Sequence, residues 1–554
     1  MPSKKALAPA VIGLSAILAL TACGRTNTPS TPSGSTGSTG STSTTAANAA
    51  SIIIGSTDKA TALDPAGSYD HGSLAIQSNV FQFLYTFVPG NDVPQPDAAK
   101  SCAFTQPTLF VCTLKSGLKF ANGHDLTSSD VKFSFDRILK INSDVGPASL
   151  LGNLDSIATP DATTVNFTLK SPNDQTFLQV LATNAGPIVD EEVLSATALT
   201  PDDAIVAGNA FSGPYTIKTF KTNDTVTFAP YAGYDGALPK VANGGITLKT
   251  YTDATNLKMA ISSGEVDIAA RSLTPTDIAS LQADKNVTVW EGKGGEIRYI
   301  TFNMKTQPGD TDAQKFAIRQ AVASLIDRQA LSTNVYKGQY TPLCSYVADG
   351  FPGANKAVCD TYPLDKDKAA KFLSDAGVAT PVVLNMEYNP DHYGSSSDQE
   401  YGLVKQQLES SGLFQVNLQS AEWTTYSKQR TQDAYPVYQM GWFPDFPDAD
   451  NYLTPFFAAN SFLKQHFASP NNDKDDFYLA APDVLAGIQA QVTETDATKR
   501  VQQIQDVQTL LAQKYLPTIP LLQGQQWAFS RTNIKGITLM VDEFFPWSPL
   551  TKTA

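Results

Sequence analysis

"GWFPDFPDADNYL", Gly441–Leu453, places two prolines, three aspartates and four aromatic rings within thirteen residues. The stretch is too acidic for a buried core strand and too aromatic for an ordinary solvated loop. Plain structural roles are available to its members. Trp442 and Phe446 can be core residues at a strand end, and Asp445 can cap a turn or meet a lysine. A calcium loop built from Asp445, Asp448 and Asp450 fits poorly, because the spacing is not that of an EF-hand and its glycine is missing.

The chain around it has 554 residues, enough for two to four domains, and its 42% hydrophobic content can fill sizeable cores. A formal net charge of −13 argues against nucleic acid, whose phosphates need basic neutralisation. Five cysteines are present, with Cys23 alone near the start. The even set Cys102, Cys112, Cys344 and Cys359 allows three pairings. Two local disulfides, Cys102–Cys112 and Cys344–Cys359, are expected, each contributing about 3 kcal/mol in the chain-entropy model; four free buried thiols are the other reading. Without a C-x-x-C pair, a zinc site has nothing to rest on.

Lys4 and Lys5 precede an apolar run from Ala8 to Leu20, too short to span a bilayer and suited to a signal peptide. The run ends in "LTAC", Leu20–Cys23, which resembles the bacterial lipobox. That resemblance implies a signal peptide over 1–22 and an acylated Cys23 as the mature N-terminus. Several acyl chains on one residue give stable anchoring. An ordinary secretory signal is the alternative. Gly24 to Ala50 is polar and small throughout, so 23–50 is expected to be a flexible tether with a reach on the order of 30 Å. The body is placed outside the cell, lipid-anchored to the membrane.

Beyond Ser51 strands and helices mix, as in an α/β or α+β chain of several lobes. "SIIIGS" opens as a short apolar strand. "TTVNFTLKS" alternates Val165, Phe167 and Leu169 on one face. Thr127 and Asp130 in "LTSSDVKFSFDRILK" approach a capping box. "TNLKMAISSGEVDIAA" reads as a helix stopped by Gly264 before a strand. "TDAQKFAIRQAVASLIDRQAL" predicts one amphipathic helix with Phe316, Ala323, Ile326 and Ala330 near a stripe. Val501, Ile504, Val507, Leu511 and Tyr515 recur at helical spacing before "LPTIPLL".

Catalytic signatures are missing. The four histidines, His71, His124, His392 and His466, form no helix-borne metal pair, and H-E-x-x-H, G-x-S-x-G and Walker A patterns do not occur. "GKGGE" from Gly292 lacks the third glycine of a dinucleotide fingerprint. The sequence is therefore read as a non-enzyme without metal or cofactor.

Five segments in order carry a resemblance. "TLKSGLKFANGHDLTSSDVKFSFDRI", Thr113–Ile138, looks like the signature of the family 5 extracellular solute-binding proteins, the dipeptide, oligopeptide and nickel receptors of ABC importers. "FSGPYTIKTF", Phe211–Phe220, is similar to their G-x-G-P-Y strand, with Phe211 in place of the first glycine. "GWFPDFPDADNYLTPFF", Gly441–Phe457, resembles their G-W-x-x-D-Y-x-D-P-x-N-F block. The helix from Phe316 to Leu331 and "DKDKAAKFLSDAG", ending at Gly377, fit in sequence.

The resemblance implies an α/β, two-lobe periplasmic-binding-protein-like fold (class II, cluster C) with an extra domain inserted in lobe one. Lobe I is expected at 51–88, 207–300 and 525–554, the extra domain at 89–206 and the second lobe at 301–524. Ligand would be enclosed by hinge closure. In peptide-binding members the aspartate three residues after the tryptophan of the G-W block accepts the α-ammonium group, which is Asp445 here. Held among Trp442, Phe443 and Phe446, its pull on an ammonium rises from about 1 kcal/mol in water to about 4 kcal/mol at intermediate dielectric. Pro444 and Pro447 restrict the backbone on either side, and Gly441 with Trp442 can pair with an extended ligand as an added strand. Trp423 aligns with a tryptophan walling the same pocket. Tyr69, His71 and Ser73, in the loop after the first strand, are placed near the cleft, and Tyr388, Asn389 and His392, which follow a second-lobe strand, are expected to face ligand.

No arginine close in sequence to the G-W block offers a cation for a ligand carboxylate, which favours longer peptides over strict dipeptides. The implied function is a monomeric substrate-binding lipoprotein that captures short peptides and delivers them to the transmembrane subunits of an ABC permease. The alternatives keep the fold with a nickel chelate, an oligosaccharide or an opine-like solute as cargo. More distant alternatives are a surface hydrolase or an adhesion protein.

Overall fold

A computed structural model describes residues 49–554 except 272, 391, 431, 459–480, 541–543 and 554. The expected signal peptide, Cys23 and nearly all of the tether lie outside the described residues. Among the described residues no helix is long and apolar enough to cross a membrane.

Two large sheets organise the described chain. The first has seven strands, in the spatial order Val287–Gly292, Gln526–Arg531, Ile268–Ala270, Ile52–Ser56, Ile246–Thr250, Thr225–Pro230 and Tyr215–Phe220. Its centre is parallel, with Ile52 opposite Ile246 and Ile54 opposite Ile268. Such strands are buried on both faces, which is why "SIIIGS" reads as a continuous apolar run and not as an alternation. The second sheet has six strands, in the order Tyr340–Pro342, Thr518–Gly524, Ile297–Phe302, Val437–Trp442, Val382–Tyr388 and Phe414–Ser420. Separate apolar cores form on each, one around Ile52, Tyr215 and Trp547 and the other around Ile300, Val437 and Ile519.

A four-stranded antiparallel sheet, Ala99–Gln106, Leu109–Leu114, Thr164–Leu169 and Leu154–Asp161, makes a third body. Val165, Phe167 and Leu169 are buried and their neighbours half-buried, as the alternation required. Helix Ser128–Ile141 packs on this sheet and starts with a complete capping box between Thr127 and Asp130. Cys102 faces Cys112 across the first hairpin and is bonded to it; Cys344 is bonded to Cys359. From the same helix, Arg137 donates to both carboxylate oxygens of Asp64 at 2.6 and 2.8 Å, and both side chains are buried. This ion pair ties the third body to the loop that follows the first strand.

The chain crosses between the large sheets twice, from Gly292 to Ile297 and from Gly524 to Gln526. The crossings lie side by side: Gly524 N donates to Glu296 O at 2.9 Å, and Gln523 Nε2 donates to Gly294 O at 2.8 Å. A Cβ on residue 294 would sit 1.9 Å from Gly524 O, so only glycine fits this crossing. Two lobes on a paired connection form a hinge geometry.

One helix differs from the reading. The amphipathic pattern continues to Leu331, but the helix runs Asp312–Ala323 and stops. Asp327 then accepts the amide of Ala330 at 2.9 Å and starts a separate turn, Arg328–Ala330. A local cap has overridden the periodicity. Elsewhere Gly264 takes the left-handed conformation, φ 80°, that ends helix Ala254–Ser263.

Candidate functional site

The stretch Gly441–Leu453 leaves the end of the central strand of the six-stranded sheet and turns toward the other two bodies. Gly441 pairs with Arg298, and a Cβ there would meet Ile297 O and the Tyr393 ring, each at 3.0 Å. On its other side the strand's ladder is formed at Val437 and Tyr438, so Gly441 lies beyond its last pair. Trp442 is a core residue, 8% exposed, packed edge-on against Phe456. Its indole N–H reaches the site indirectly, donating to Asn451 Oδ1 at 3.0 Å. The same oxygen accepts the Asp445 amide at 2.8 Å, while Asn451 Nδ2 donates to Asp445 Oδ2 at 3.1 Å. Asn451 thus fixes the loop and aims the carboxylate. The sequence reading gave it no role, although it is the asparagine of the quoted block.

Asp445 turns inward, and the other lobe meets it. Tyr69 donates its phenol to Asp445 Oδ2 at 2.8 Å. Burial pushes the Asp445 carboxyl up to about 6, against the opposing hydrogen bonds from Asn451 and Tyr69. Burial and the neighbouring carboxylate push the Tyr69 phenol up, which keeps it a donor. Phe446, next in the chain, is buried in the core of the four-stranded body, and Gln179 Nε2 donates to Asp448 Oδ2 at 3.1 Å beside it. Asp448 is also held by both terminal nitrogens of Arg500. Asp448 is therefore a docking group, and Asp450 is buried, accepts from Thr454 and Gln491 of its own lobe and has its carboxyl pushed up to about 7 by burial.

Phe443 links a second set of groups. Arg271, from the first lobe, lies over its ring at 5.0 Å, and the His392 ring meets it edge-on at 6.5 Å. His392 is exposed and stacks on Trp423 at 3.8 Å and 12°. On the first-lobe side, Asp58 Oδ2 is 3.2 Å from Arg271 Nε and 2.9 Å from His71 Nδ1. The His71 ring stacks on Phe544 at 4.1 Å and 8°. Burial raises the Asp58 carboxyl, but Arg271 and His71 outweigh it and hold it well below the usual carboxylate range. Burial and Arg271 push His71 down, so the imidazole is neutral near pH 7. A band of rings and charges thus crosses the gap between the lobes, and Arg271 and Asp58 were not found from sequence. No local motif marks them; Arg271 reaches Phe443 of the G-W block from beyond the end of the distant strand Ile268–Ala270.

The remaining anticipated residues serve the loops. Ser73 is buried, accepts Thr61 N at 2.9 Å and donates to Asp70 Oδ2 at 2.8 Å. Asn389 is buried, donates to Ala421 O at 2.9 Å and accepts His392 N at 2.7 Å, which holds His392 over Trp423. Tyr388 donates to Asp398 Oδ1 at 2.6 Å. Among the described residues no group of three or more His, Cys, Asp or Glu side chains could hold a metal ion.

The chain is similar to known proteins over most of its length. It is 25% identical over 504 residues to a glutathione-binding protein, GsiB, of Salmonella typhi, covering 89% of this chain and 93% of that one. It is 24% identical over 513 residues to a probable D,D-dipeptide-binding periplasmic protein, DdpA, of Escherichia coli, covering 90% and 94%. Its fold matches a dipeptide-binding protein of a Pseudoalteromonas species, solved with Met-Leu, at a TM-score of 0.75 and 20% identity, covering 91% of this chain and all of that one. The family model of the bacterial extracellular solute-binding proteins, family 5, matches residues 93–463. Members of that family bind solutes for transport. With its two lobes, paired crossings and inward-facing aspartate, this chain belongs to the bacterial extracellular solute-binding proteins of family 5.

Proposed function

We propose that the protein captures short peptides between its lobes, with the α-ammonium group on Asp445. The observation that carries this reading is the enclosed Asp445 carboxylate, met by the Tyr69 phenol from the opposite lobe. An anion taken from water with only neutral donors around it gains most from a cationic partner. Trp423, His392 and Phe443 form a run of rings in the second lobe that starts two residues before it, and Arg271 adds a cation across the gap. The glutathione and dipeptide specificities in the names of its relatives support a peptide cargo.

Calorimetry with tri-alanine and its N-acetylated form tests the role of the ammonium. Acetylation, or Asp445→Ala with the free peptide, is expected to weaken binding by about 2–5 kcal/mol. Equal affinity for both forms would remove Asp445 from the site. Mass spectrometry of cargo retained through purification separates peptide from sugar, opine or chelate.

The same reading places an acylated Cys23 at the membrane and a permease as the receiving partner. It divides the body at 51–88, 207–300 and 525–554 for lobe I, 89–206 for the extra domain and 301–524 for the second lobe. Metabolic labelling with palmitate, lost in Cys23→Ser, tests the anchor.

A further inference from the structure

We infer that His71 Nε2 is a hydrogen-bond acceptor built into the first lobe to receive an N–H group of the bound cargo; the inference rests on the peptide reading for the identity of that donor. Asp58 Oδ2 lies 2.9 Å from His71 Nδ1. A carboxylate can only accept, so Nδ1 carries the proton, and the neutral ring is left with a lone pair on Nε2. Burial and the Arg271 charge both favour that neutral form. Nε2 is buried and has no hydrogen-bond partner.

Buried polar atoms of native proteins are nearly always paired, so an acceptor left over needs a reason. Looseness of the ring is not that reason. The ring is clamped flat on Phe544, and its backbone begins helix His71–Val80, capped by Asp70. The contrast with Asp445 is informative: that carboxylate takes donors from Tyr69 and Asn451 within the protein, whereas His71 has been given an orienting acid and nothing to accept from.

The groups that hold the ring reach the gap. Asp58 also holds Arg271, whose guanidinium covers Phe443 from the opposite lobe. Arg271 keeps φ 62°, a left-handed conformation that is costly for a residue with a Cβ and that concentrates at ligand sites. Tyr69, on Asp445, is two residues before His71 in the same segment. One segment of the first lobe therefore presents both the partner of the ammonium acceptor and a second acceptor. An extended peptide offers an amide N–H for the second while its α-ammonium takes the first. A group with no hydrogen to give, such as an N-methylated amide, would leave the lone pair unmet.

The test uses the whole soluble body labelled with 15N-histidine, as purified and after its cargo is stripped by unfolding and refolding. Four histidines are present, and His71→Phe, which keeps a flat ring on Phe544, assigns the signal. In stripped protein Nε2 of His71 is expected to be unprotonated, and saturation with tri-alanine is expected to shift it upfield as it accepts a bond. N-methylation of one backbone amide should cost at least tenfold in affinity in the natural protein and less than twofold in His71→Phe. A protonated Nε2 in stripped protein, an unmoved Nε2 at saturation, or equal methylation costs in the two proteins would overturn the inference. If tri-alanine does not bind at all, the peptide reading fails on its own. Nε2 is then compared between protein as purified and stripped protein: a shift supports an acceptor for another donor, and identity overturns it.

Discussion

Replacing Asp445 by asparagine separates the cost of closing the lobes from the gain of binding cargo. In the closed lobes the carboxyl is pushed from 3.8 up to about 6, chiefly by burial. Two pK units at 1.36 kcal/mol each make closure around an ionised Asp445 cost about 3 kcal/mol, roughly a hundredfold in the ratio of closed to open forms. The sign follows from proton uptake. The closed form holds its proton more tightly than the open form, so the contribution of Asp445 to closure is full below about pH 4 and is lost as pH rises through about 6. Tyr69 and Asn451 both donate to Oδ2, so an asparagine carbonyl placed there keeps both bonds without the charge. Small-angle scattering of the cargo-free body from pH 4 to pH 8 should show the natural protein expanding through pH 6 while Asp445→Asn stays compact. Other buried acids, Asp450 near 7 and Asp130 near 6, titrate in both proteins, so the difference isolates Asp445. Tri-alanine at pH 7 should close the natural protein again. Matching scattering curves at every pH would refute the claim that burial of this one charge resists closure.

Three further outcomes follow from the packing. Phe446→Ala empties a site in the core of the four-stranded body and should cost about 3–5 kcal/mol at that contact, seen as faster hydrogen exchange in helix Phe177–Val180. Asp64→Ala strands the buried Arg137 guanidinium and should lower stability by about 3–5 kcal/mol in a denaturant titration; Asp64→Ala with Arg137→Met should cost less. Cys359→Ser opens a loop of 15 residues and should cost about 3 kcal/mol, read as a lower melting temperature.

Local order was legible because its causes are local. The alternation at Val165, Phe167 and Leu169, the capping box at Thr127 and the stop at Gly264 each depend on a few neighbouring residues. Asp445 was singled out through the resemblance of the G-W block to the family, and the rings and prolines around it within thirteen positions agree with that role. Where one local signal opposed another, the reading slipped. The stripe of helix Asp312–Ala323 continues past its end, and the cap at Asp327 won.

Through its resemblance to the family the sequence implied the class of architecture and singled out Asp445, and the cysteine spacing offered two local disulfides among three pairings. The tertiary structure alone decided what that acid meets. Tyr69 lies 376 positions away, and Arg271 reaches Phe443 across the same gap. It also showed Ser73 and Asn389 consumed by their loops and Trp442 acting through Asn451. Charges and hydrogen bonds act over a few ångströms of space, and only the fold sets which distant residues come within that range.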